Sequence, residues 1–461
     1  MTADLSFSVE GKRVTVVGAA RSGIAAAELL ARRGATVTLS EMRPDIDDAD
    51  RLRDAGVELE LGGHEPATLL RADLIVTSPG VPYRHPLIEA ARQAGVPVIG
   101  ELELASRWLR GRVVAITGTK GKSTTTTLAG RMLEAGGHRV LVGGNIGHAL
   151  SAQVDESTED TIHVVEASSF QLEASDTFRP WIAVLLNFSP DHLDRHLTVD
   201  EYRAAKTKIF SQQTDSDWAV LNADDPAVLP MAVHARSRRL MFSMHEHLTD
   251  GVVLEGNVIV RRAGLEREPL VPLSSVRLIG SHLVADVLAA CAVAWLAGVG
   301  AAAMTRAVEG FTGLEHALEP VAEIGGVHFV NDSKATNIEA AKRAIESFGS
   351  GVVVILGGRF KGGDFRDLVG PLESRQATVV AIGEARPAIA EALGARVPVH
   401  GASDMSSAVR TAFASASPGG TVVLAPACAS FDMFRDYAQR GHAFKQEVRR
   451  LEEEWSVTRE Q

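Results

Sequence analysis

The stretch Gly-Thr-Lys-Gly-Lys-Ser-Thr at residues 118–124 lies between a hydrophobic run at 113–116 and a segment of helical character at 125–135. A strand, a glycine loop and a helix in this order let backbone N–H groups close around phosphate oxygens at the positive end of the helix. Lys122 would neutralise the β- and γ-phosphates, and Ser123 or Thr124 would bind magnesium. An ordinary glycine turn leaves Gly-Lys-Ser-Thr at a helix start unexplained, so the stretch predicts nucleoside triphosphate binding. The predicted contacts are Gly118, Thr119, Lys120, Gly121, Lys122, Ser123 and Thr124.

Around this loop, runs of Val, Ile and Leu alternate with Ala-rich amphipathic segments, a pattern typical of parallel sheets covered by helices. Near the N-terminus, strands are predicted at 14–17 and 36–39, with a turn at 18–23 and a helix between them. The turn lacks the middle glycine of G-x-G-x-x-G, which argues against a bound dinucleotide. A further strand at 74–77 runs into Ser-Pro-Gly, at the end of a strand where α/β sheets place their ligands.

The α/β pattern restarts twice along the chain, after a polar segment before residue 113 and again near residue 327. A length of 461 residues also fits roughly three domains. We therefore predict an α/β fold of three domains. These are an N-terminal Rossmann-like domain at 1–106, a central P-loop ATPase-like domain with a parallel sheet at 107–312, and a C-terminal Rossmann-like domain at 313–461.

Composition restricts the partners and the compartment. Lys and Arg number 47 against 58 Asp and Glu, so the net charge of −11 argues against nucleic acid as a partner. Two cysteines without C-x-x-C spacing, and an N-terminus without a basic and apolar leader, favour the cytoplasm. The uncharged stretch 287–304 approaches membrane-span length, but its Ala content and Gly298 favour a buried helix that ends near that glycine. We expect a monomer that acts on small molecules and has no membrane partner.

Carboxylate and imidazole groups follow strands downstream of the glycine loop. A hydrophobic run ends at Glu166, where a magnesium ligand would lie near the phosphates. The next run leads to a polar cluster at 189–196, in which His192 lies between Asp191 and Asp194. A lone histidine is more often structural, but the neighbouring Asp191 and Asp194 favour a functional role for His192.

The glycine loop departs from the common spacing G-x-x-x-x-G-K-[ST], because its glycines lie closer together. The shorter form G-T-x-G-K-[ST] resembles the Mur ligase and folylpolyglutamate synthetase superfamily. The third domain adds Asn-Asp-Ser-Lys-Ala-Thr-Asn at 331–337, Gly-Gly-Arg-Phe-Lys-Gly-Gly-Asp at 357–364 and Ala-Cys-Ala-Ser-Phe-Asp-Met-Phe at 427–434. In this order the motifs closely resemble the glutamate-adding branch of the Mur ligases, over nearly the whole chain from Gly18 to Phe444. Cys428 then belongs to loop packing and is not a nucleophile.

The helical segment 202–210 by itself indicates a solvated basic face with Tyr202 and Phe210 packed inward. The resemblance adds a different role, because the matching helix of Mur ligases carries a carbamylated lysine, here Lys206. A carbamate gives a second magnesium ion an oxygen ligand that an unmodified lysine cannot provide.

The resemblance also implies a set of binding residues. For the UDP-linked substrate they are Ala20, Arg21, Ser78, Gly80, Asn145, Ser168 and Gln171. For ATP they include Asp286, Asp332 and Lys334 besides the glycine loop, and for glutamate they are Thr336, Lys361, Ser430, Phe431 and Tyr437. The implied metal ligands are Ser123, Glu166, His192 and carbamylated Lys206, and the implied catalytic residues are Lys122, Glu166, His192 and Lys206.

The implied reaction is ATP-dependent amide formation between UDP-N-acetylmuramoyl-L-alanine and glutamate, in peptidoglycan precursor synthesis. The γ-phosphoryl group of ATP would pass to the acceptor carboxylate, and the glutamate amine would attack the resulting acyl phosphate. Two magnesium ions and positioning would supply most of the catalysis. Three domains on short linkers also predict closure around the substrates.

Two positions depart from the family pattern. Ala317 follows His316 where the family commonly has arginine, and Arg359 is a candidate to replace that charge. Asp286 stands where an asparagine would meet the nucleotide, so its carboxylate could pair with the adenosine or repel ATP. Alternatives therefore stay open: a related ligase for another amino acid, for L-glutamate or for folate, a non-catalytic nucleotide sensor, or a dehydrogenase built on the first βαβ unit.

Overall fold

The computed structural model describes residues 7–192, 195–277, 282–416 and 418–459, except that the side chains of 282 and 457–459 are not described. It divides into two compact units. Met1–Val276 and Leu283–Gly310 form the first unit, and Arg277–His282 and Phe311–Gln461 form the second.

The first sheet is five-stranded and fully parallel, in the order β3-β2-β1-β4-β5. Its strands are β1 Arg13–Val17, β2 Thr36–Glu41, β3 Val57–Leu61, β4 Leu74–Thr77 and β5 Val98–Gly100. Its helices are α1 Arg21–Arg32, α2 Ala49–Asp54, α3 Pro66–Leu70, α4 Pro86–Gln93 and α5 Glu101–Ser106. Val14, Val16 and Val76 are fully buried, as expected for central parallel strands that are covered on both faces.

The second sheet has nine strands in the order β14-β13-β12-β11-β10-β9-β6-β8-β7, and β12 to β14 form an antiparallel extension. Its strands are β6 Arg112–Thr117, β7 Arg139–Gly144, β8 Thr161–Glu166, β9 Ile182–Leu185, β10 Trp218–Asn222, β11 Arg238–Ser243, β12 Asp250–Glu255, β13 Val258–Ala263 and β14 Glu266–Pro272. Its helices are α6 Lys122–Ala135, α7 Ser169–Glu173, α8 Val199–Thr207, α9 Val228–Met231, α10 His282–Leu296 and α11 Ala301–Glu309.

The third sheet, in the second unit, has six strands in the order β15-β16-β20-β17-β18-β19, with β15 antiparallel at the edge. Its strands are β15 Glu319–Ile324, β16 Val327–Asn331, β17 Val353–Gly357, β18 Thr378–Ile382, β19 Val399–Gly401 and β20 Thr421–Leu424. Its helices are α12 Ile338–Glu346, α13 Val369–Ser374, α14 Arg386–Leu393, α15 Met405–Ser415 and α16 Tyr437–Arg459. The prediction of an α/β fold with parallel-rich sheets is confirmed.

The register of the second sheet brings three strand ends together. In the parallel ladder, Ile116 of β6 lies opposite Glu166 of β8, and Thr117 lies opposite Leu185 of β9. Because parallel strands end at the same edge, the loops that follow β6, β8 and β9 emerge side by side. These loops carry the glycine stretch, helix α7 and the polar cluster around His192.

The apolar stretch at 287–304 forms a helix that ends at Leu296, and Gly298 follows with a φ of +82°. Residues 287–294 of this helix are fully buried. Among the described helices, none is both long and apolar enough to cross a membrane. The prediction of a buried helix that ends near Gly298 is therefore confirmed.

The segment predicted as one helix at 202–210 is divided. The α-helix ends at Thr207, and Lys208–Phe210 continue it as a 3-10 turn. Tyr202 and Phe210 pack inward as expected, but Lys206 is only 1% exposed. The expectation of a solvated basic face is wrong at this residue, because a packed environment surrounds its side chain.

Candidate active site

The glycine loop has the backbone shape that a phosphate site needs. Gly118 has a φ of +157° and Gly121 a φ of +80°, conformations that side chains disfavour. The Oδ1 atom of Asn187 accepts hydrogen bonds from the N–H groups of Thr119 (3.0 Å) and Lys120 (2.9 Å). Helix α6 begins at once, at Lys122, so the loop lies at the positive end of that helix.

Polar side chains that are far apart in sequence meet at this loop. Lys122 donates to the carbonyl oxygens of Gly118 and Thr119, at 3.1 and 3.0 Å. Ser123 donates to Glu166 Oε2 at 2.6 Å, and Asn145 donates to Glu166 Oε1 at 2.7 Å. The Glu166 carboxylate therefore joins the predicted nucleotide side to the predicted UDP-substrate side. A hydroxyl and a carboxylate in contact at a phosphate loop are oxygen ligands of the kind that magnesium takes.

Lys206 lies inside the same cluster. Its Nζ atom donates to the carbonyl oxygen of Gly118 at 2.7 Å and lies 4.7 Å from the centre of the Tyr202 ring. Burial, and then the nearby Lys122 ammonium, lower the pKa of Lys206 well below its usual value. This shift moves Lys206 towards the neutral amine, the form of lysine that reacts with carbon dioxide.

The polar cluster after β9 places His192 beside these groups. His192 has a φ of +55°, and its ring lies 5.0 Å from Phe170 and 6.2 Å from Tyr202 between centroids. Its backbone N–H donates to Asp191 Oδ1 at 2.9 Å. A positive φ is uncommon for residues other than glycine, and such backbone conformations are found most often at functional sites. Asp194, which the sequence grouped with Asp191, lies outside the described residues.

Two arginines, Arg195 and Arg21, donate hydrogen bonds to the loops that are predicted to hold the UDP substrate. Arg195 donates to the carbonyl oxygens of Pro79, Gly80 and Val81 at 2.9 to 3.3 Å. Arg21 donates to the Gly147 carbonyl oxygen at 2.8 Å. The loop after β4 is therefore tied to the segment that contains Arg195, and the loop that follows Asn145 is tied to the start of α1.

Ser168 and Gln171 form a capping box at the start of α7. The Ser168 hydroxyl accepts from the Gln171 backbone N–H, and the Gln171 Oε1 atom accepts from the Ser168 backbone N–H. Ala20 is the residue just before α1, and Glu41 accepts from the neighbouring Ala19 N–H at 2.7 Å. These residues therefore line helix starts, where N–H groups favour anionic ligands.

Asp286 packs against the glycine loop. A Cβ atom at Gly121 would lie 2.2 Å from Asp286 Oδ1, so only glycine fits there. Complete burial raises the pKa of Asp286 well above its usual value. The shift favours the neutral carboxyl, which has nearly the shape of an asparagine amide, and so weakens the repulsion of ATP considered from the sequence.

In the second unit, one buried arginine gathers three strand-end loops. Arg440, on α16, is 2% exposed. Its Nε atom donates to Ser333 Oγ (2.9 Å), its Nη2 to the Ser333 carbonyl (2.8 Å), and its Nη1 to the carbonyls of Cys428 (3.0 Å) and Gly357 (3.5 Å). The three motifs that the sequence placed in the third domain therefore meet around a single guanidinium group.

The predicted glutamate contacts belong to these loops or to the start of α16. Ser430 is buried, Phe431 is 61% exposed, Tyr437 is partly exposed, Lys361 is exposed and Thr336 is half-buried. The predicted ATP contacts Asp332 and Lys334 flank Ser333, and Asp332 accepts from the Leu318 N–H at 3.2 Å. Burial raises the pKa of Cys428 to about 12, which fits the prediction of a packing role.

Arg359, the candidate replacement for an arginine at position 317, has another partner. Its guanidinium bonds Glu384 in two contacts of 3.0 and 3.2 Å. The pairing raises the pKa of Arg359 and lowers that of Glu384. Its charge is therefore compensated within the second unit.

Comparison with known proteins agrees with this geometry. Residues 12–100 match the MurD-like N-terminal domain of Mur ligases, residues 116–294 the Mur ligase middle domain, and residues 318–428 the Mur ligase glutamate ligase domain. A UDP-N-acetylmuramoylalanine–D-glutamate ligase of Acidobacterium capsulatum is 49% identical over 444 residues, which cover 95% of this chain and 96% of that protein. A ligase of the same name from Koribacter versatilis is 45% identical, with 97% and 99% covered.

The chain belongs to the Mur ligase family. Solved structures share the fold of this Mur ligase at low identity. A pseudomurein peptide ligase type C from Methanothermus fervidus has a TM-score of 0.59 at 16% identity and covers 96% of this chain and 100% of its own. A UDP-N-acetylmuramate-alanine ligase from Thermotoga maritima also has a TM-score of 0.59, at 18% identity, with 95% and 99% covered.

Several residues of this Mur ligase were missed or undervalued at the level of sequence. Asn187 follows a predicted strand and could have been noticed there, because strand ends carry ligands. Tyr202 was expected only to pack inward, yet its hydroxyl lies 3.2 Å from Thr119 Oγ1. Arg195 and Arg440 gave no local signal, since each acts on carbonyl groups contributed by distant segments.

Proposed function

We propose that this Mur ligase joins D-glutamate to UDP-N-acetylmuramoyl-L-alanine, with ATP as the energy source, in peptidoglycan precursor synthesis. The observation that carries the proposal is the meeting of Lys122, Ser123, Glu166 and Lys206 at the glycine loop. It is supported by relatives named for this reaction that are 42–49% identical over nearly the full chain.

In the first step, an oxygen of the acceptor carboxylate attacks the γ-phosphorus of ATP, and the bond to the β-phosphate oxygen breaks. ADP leaves, and an acyl phosphate remains on the acceptor. We assign Lys122 and the N–H groups of the loop at 118–124 to the phosphates, whose charge they neutralise. We assign Asn145, Ser78, Gly80, Ala20, Arg21, Ser168 and Gln171 to the acceptor.

Magnesium fits the donor set of this site. Ser123, Glu166, His192 and Lys206 supply a hydroxyl, a carboxylate, an imidazole and, after carbamylation, a second carboxylate-like group. When bound there, two ions neutralise charge on the phosphates and on the transferring group. The neutral amine favoured at Lys206 is what carbamylation requires, and its burial keeps the modified side chain at the loop.

In the second step, the amine of glutamate attacks the acyl carbon, phosphate leaves, and the nitrogen loses a proton. We assign Lys361, Ser430, Phe431, Tyr437 and Thr336 to glutamate, and Asp332, Lys334 and Asp286 to ATP. Lys361 is exposed and suits a carboxylate of the incoming amino acid. Arg440 keeps the loops of the second unit in register without needing to touch the substrate.

Phosphate release tests the proposal. The purified protein is incubated with ATP, magnesium and UDP-N-acetylmuramoyl-L-alanine, together with D-glutamate, L-glutamate or no amino acid. We expect release that depends on D-glutamate, and loss of it in Lys122→Ala but not in Arg203→Ala, a surface variant on α8. Release with L-glutamate alone would reassign the specificity. ATP binding without release in any mixture would replace the proposal by a nucleotide sensor.

We also propose that the enzyme acts as a monomer in the cytoplasm on these small molecules. The net charge of −11 and the two buried, unpaired cysteines support this placement. Light scattering coupled to size exclusion should give the mass of one chain, 49.0 kDa. Twice that mass would contradict the monomer.

A further inference from the structure

A small cavity lies beside the loop that follows β4 in the first unit, residues 78–81, which is called the acceptor loop below. Its volume is about 10 Å³, measured as the space open to the centre of a water molecule. Ser78, Glu101 and Gln171 line it together with the polar residues Thr77, Tyr83 and Glu173 and with neighbouring apolar residues such as Val81, Phe170 and Ala174. A cavity of about 10–15 Å³ by this measure holds one water molecule.

Three residues that line this cavity each have a buried polar atom without a hydrogen-bond partner among the described residues: Ser78 Oγ, Glu101 Oε2 and Gln171 Nε2. Ser78 and Gln171 are 2% exposed and Glu101 is 1% exposed. Buried polar atoms of folded proteins nearly always have a partner, because an unpaired one has lost its hydrogen bonds to water without replacement. Three such atoms around one cavity therefore indicate a common partner.

The second polar atom of the Glu101 side chain and that of the Gln171 side chain each already have a hydrogen-bond partner. Glu101 Oε1 accepts from the Ser151 N–H at 2.7 Å, and Gln171 Oε1 accepts from the Ser168 N–H at 3.0 Å. These three residues thus offer a Glu101 carboxyl oxygen, which accepts when ionised and, because burial raises the pKa of Glu101, can also carry a proton to donate, an amide nitrogen that can only donate, and a hydroxyl that can do either. One water molecule satisfies all three at once.

We propose that one ordered water molecule occupies this cavity and joins Glu101 and Gln171 to Ser78, which makes Glu101 a positioning residue for the acceptor loop. The role in acceptor binding rests on the function proposed above, whereas the water site does not. Glu101 is suited to it, because it begins α5 at the junction of the first and second sheets. The neighbouring Gly100 N–H donates to the Ala174 carbonyl at 2.8 Å, and Glu103 accepts from the N–H groups of residues 176–178 at 2.9 to 3.0 Å.

A crystal structure at better than about 2 Å resolution tests the water site directly. We expect one density peak within hydrogen-bond distance of Ser78 Oγ, Glu101 Oε2 and Gln171 Nε2. Direct contacts among the three side chains, or an empty cavity, would overturn the proposal. This readout needs no activity, so it separates failure of the water site from failure of the ligase assignment.

Kinetics test the positioning role. In Glu101→Leu, which removes the acceptor for the water, we expect KM for the UDP-linked acceptor to rise about tenfold while KM for ATP stays within about twofold. Glu101→Gln keeps the size and a carbonyl oxygen, so it should fold like the parent and show an increase of about threefold. Ser106→Ala, on the same helix but outside the cavity, is the matched control and should leave both constants unchanged. Equal changes for ATP and acceptor in the Glu101 variants would assign Glu101 a merely structural role.

Discussion

Lys206 in the first unit and Arg440 in the second are both almost completely buried, and the two cations are held differently. Lys206 in the first unit has a hydrogen bond of 2.7 Å to a single carbonyl, that of Gly118. Arg440 in the second unit bonds three carbonyls and a hydroxyl. Within the described residues, neither has a carboxylate within ion-pair distance. Both are strongly desolvated, so each must either lose its charge or have it solvated by fixed dipoles.

The difference follows from the chemistry of the two groups. An ammonium can release its proton when burial lowers its pKa, and the neutral amine is a nucleophile. A guanidinium keeps its proton even where burial lowers the pKa of Arg440 to about 10, and its planar fork of donors holds several carbonyls at once. The first unit therefore buries a lysine that burial shifts towards its reactive, neutral form, and the second buries an arginine that keeps its charge and clamps three loops.

The largest expected effect comes from removing the reactive lysine. Lys206→Ala should lower the rate of phosphate release at least about 100-fold, because a proposed metal ligand is lost. Acetate at high concentration should restore part of the activity by supplying a carboxylate in the space that is left. Lys206→Arg keeps a cation but cannot be carbamylated, so we expect it to be inactive and insensitive to acetate. Full activity in Lys206→Ala would remove the distinction between the two cations.

The clamp should respond differently, through geometry and stability. Arg440→Lys keeps a charge but loses the fork, so we expect the free energy of unfolding to fall by roughly 3 kcal/mol and KM for glutamate to rise about tenfold. KM for the UDP-linked acceptor should stay unchanged. Thermal denaturation and initial rates measure these quantities. A variant with normal stability and a normal KM for glutamate would show that the three loops hold their positions without the clamp.

A third buried base, His163, tests whether burial alone sets the charge state. Burial lowers its pKa to about 4 from 6.5, and its Nε2 lies 2.8 Å from Ser157 Oγ. Between pH 6.5 and 4 the unfolded chain binds a proton that the folded chain excludes. The free energy of unfolding should therefore fall as the pH drops through this window, by up to about 3 kcal/mol. Urea titrations of the parent and of His163→Gln would measure the slope, which the variant should lose; an equal slope in both would assign it to other groups.

The smallest expected effect is at Asp286, which lies beside the glycine loop where the family pattern has an asparagine. Asp286→Asn replaces a carboxyl whose neutral form is favoured by burial with an amide of nearly the same shape, so we expect KM for ATP to change less than about threefold near pH 7. Initial rates at several ATP concentrations measure it. A large improvement in ATP binding would instead show that Asp286 carries a charge. Burial would then shift the pKa of Asp286 less than that of Lys206.

Much of the site could be predicted from sequence because its chemistry is local. The glycine loop, Glu166 and the third-domain motifs each follow a hydrophobic strand, and the strand order then brings them to common sheet edges. Whether His192, Lys206 and the glutamate contacts act as assigned stays a prediction, as do the domain boundaries at 106 and 312. Closure of the domains around the substrates also stays a prediction.

The sequence by itself determined the α/β fold, the glycine loop and the buried helix α10, since these depend on short-range patterns of apolar residues, glycines and capping groups. Only the tertiary structure decided that Lys206 is buried against Gly118, 88 residues away in the chain, and that Arg440 binds Ser333, 107 residues away. It also decided the neutral state favoured at Asp286 and the cavity beside Glu101. These properties depend on desolvation, and desolvation is set by which distant segments pack around a group.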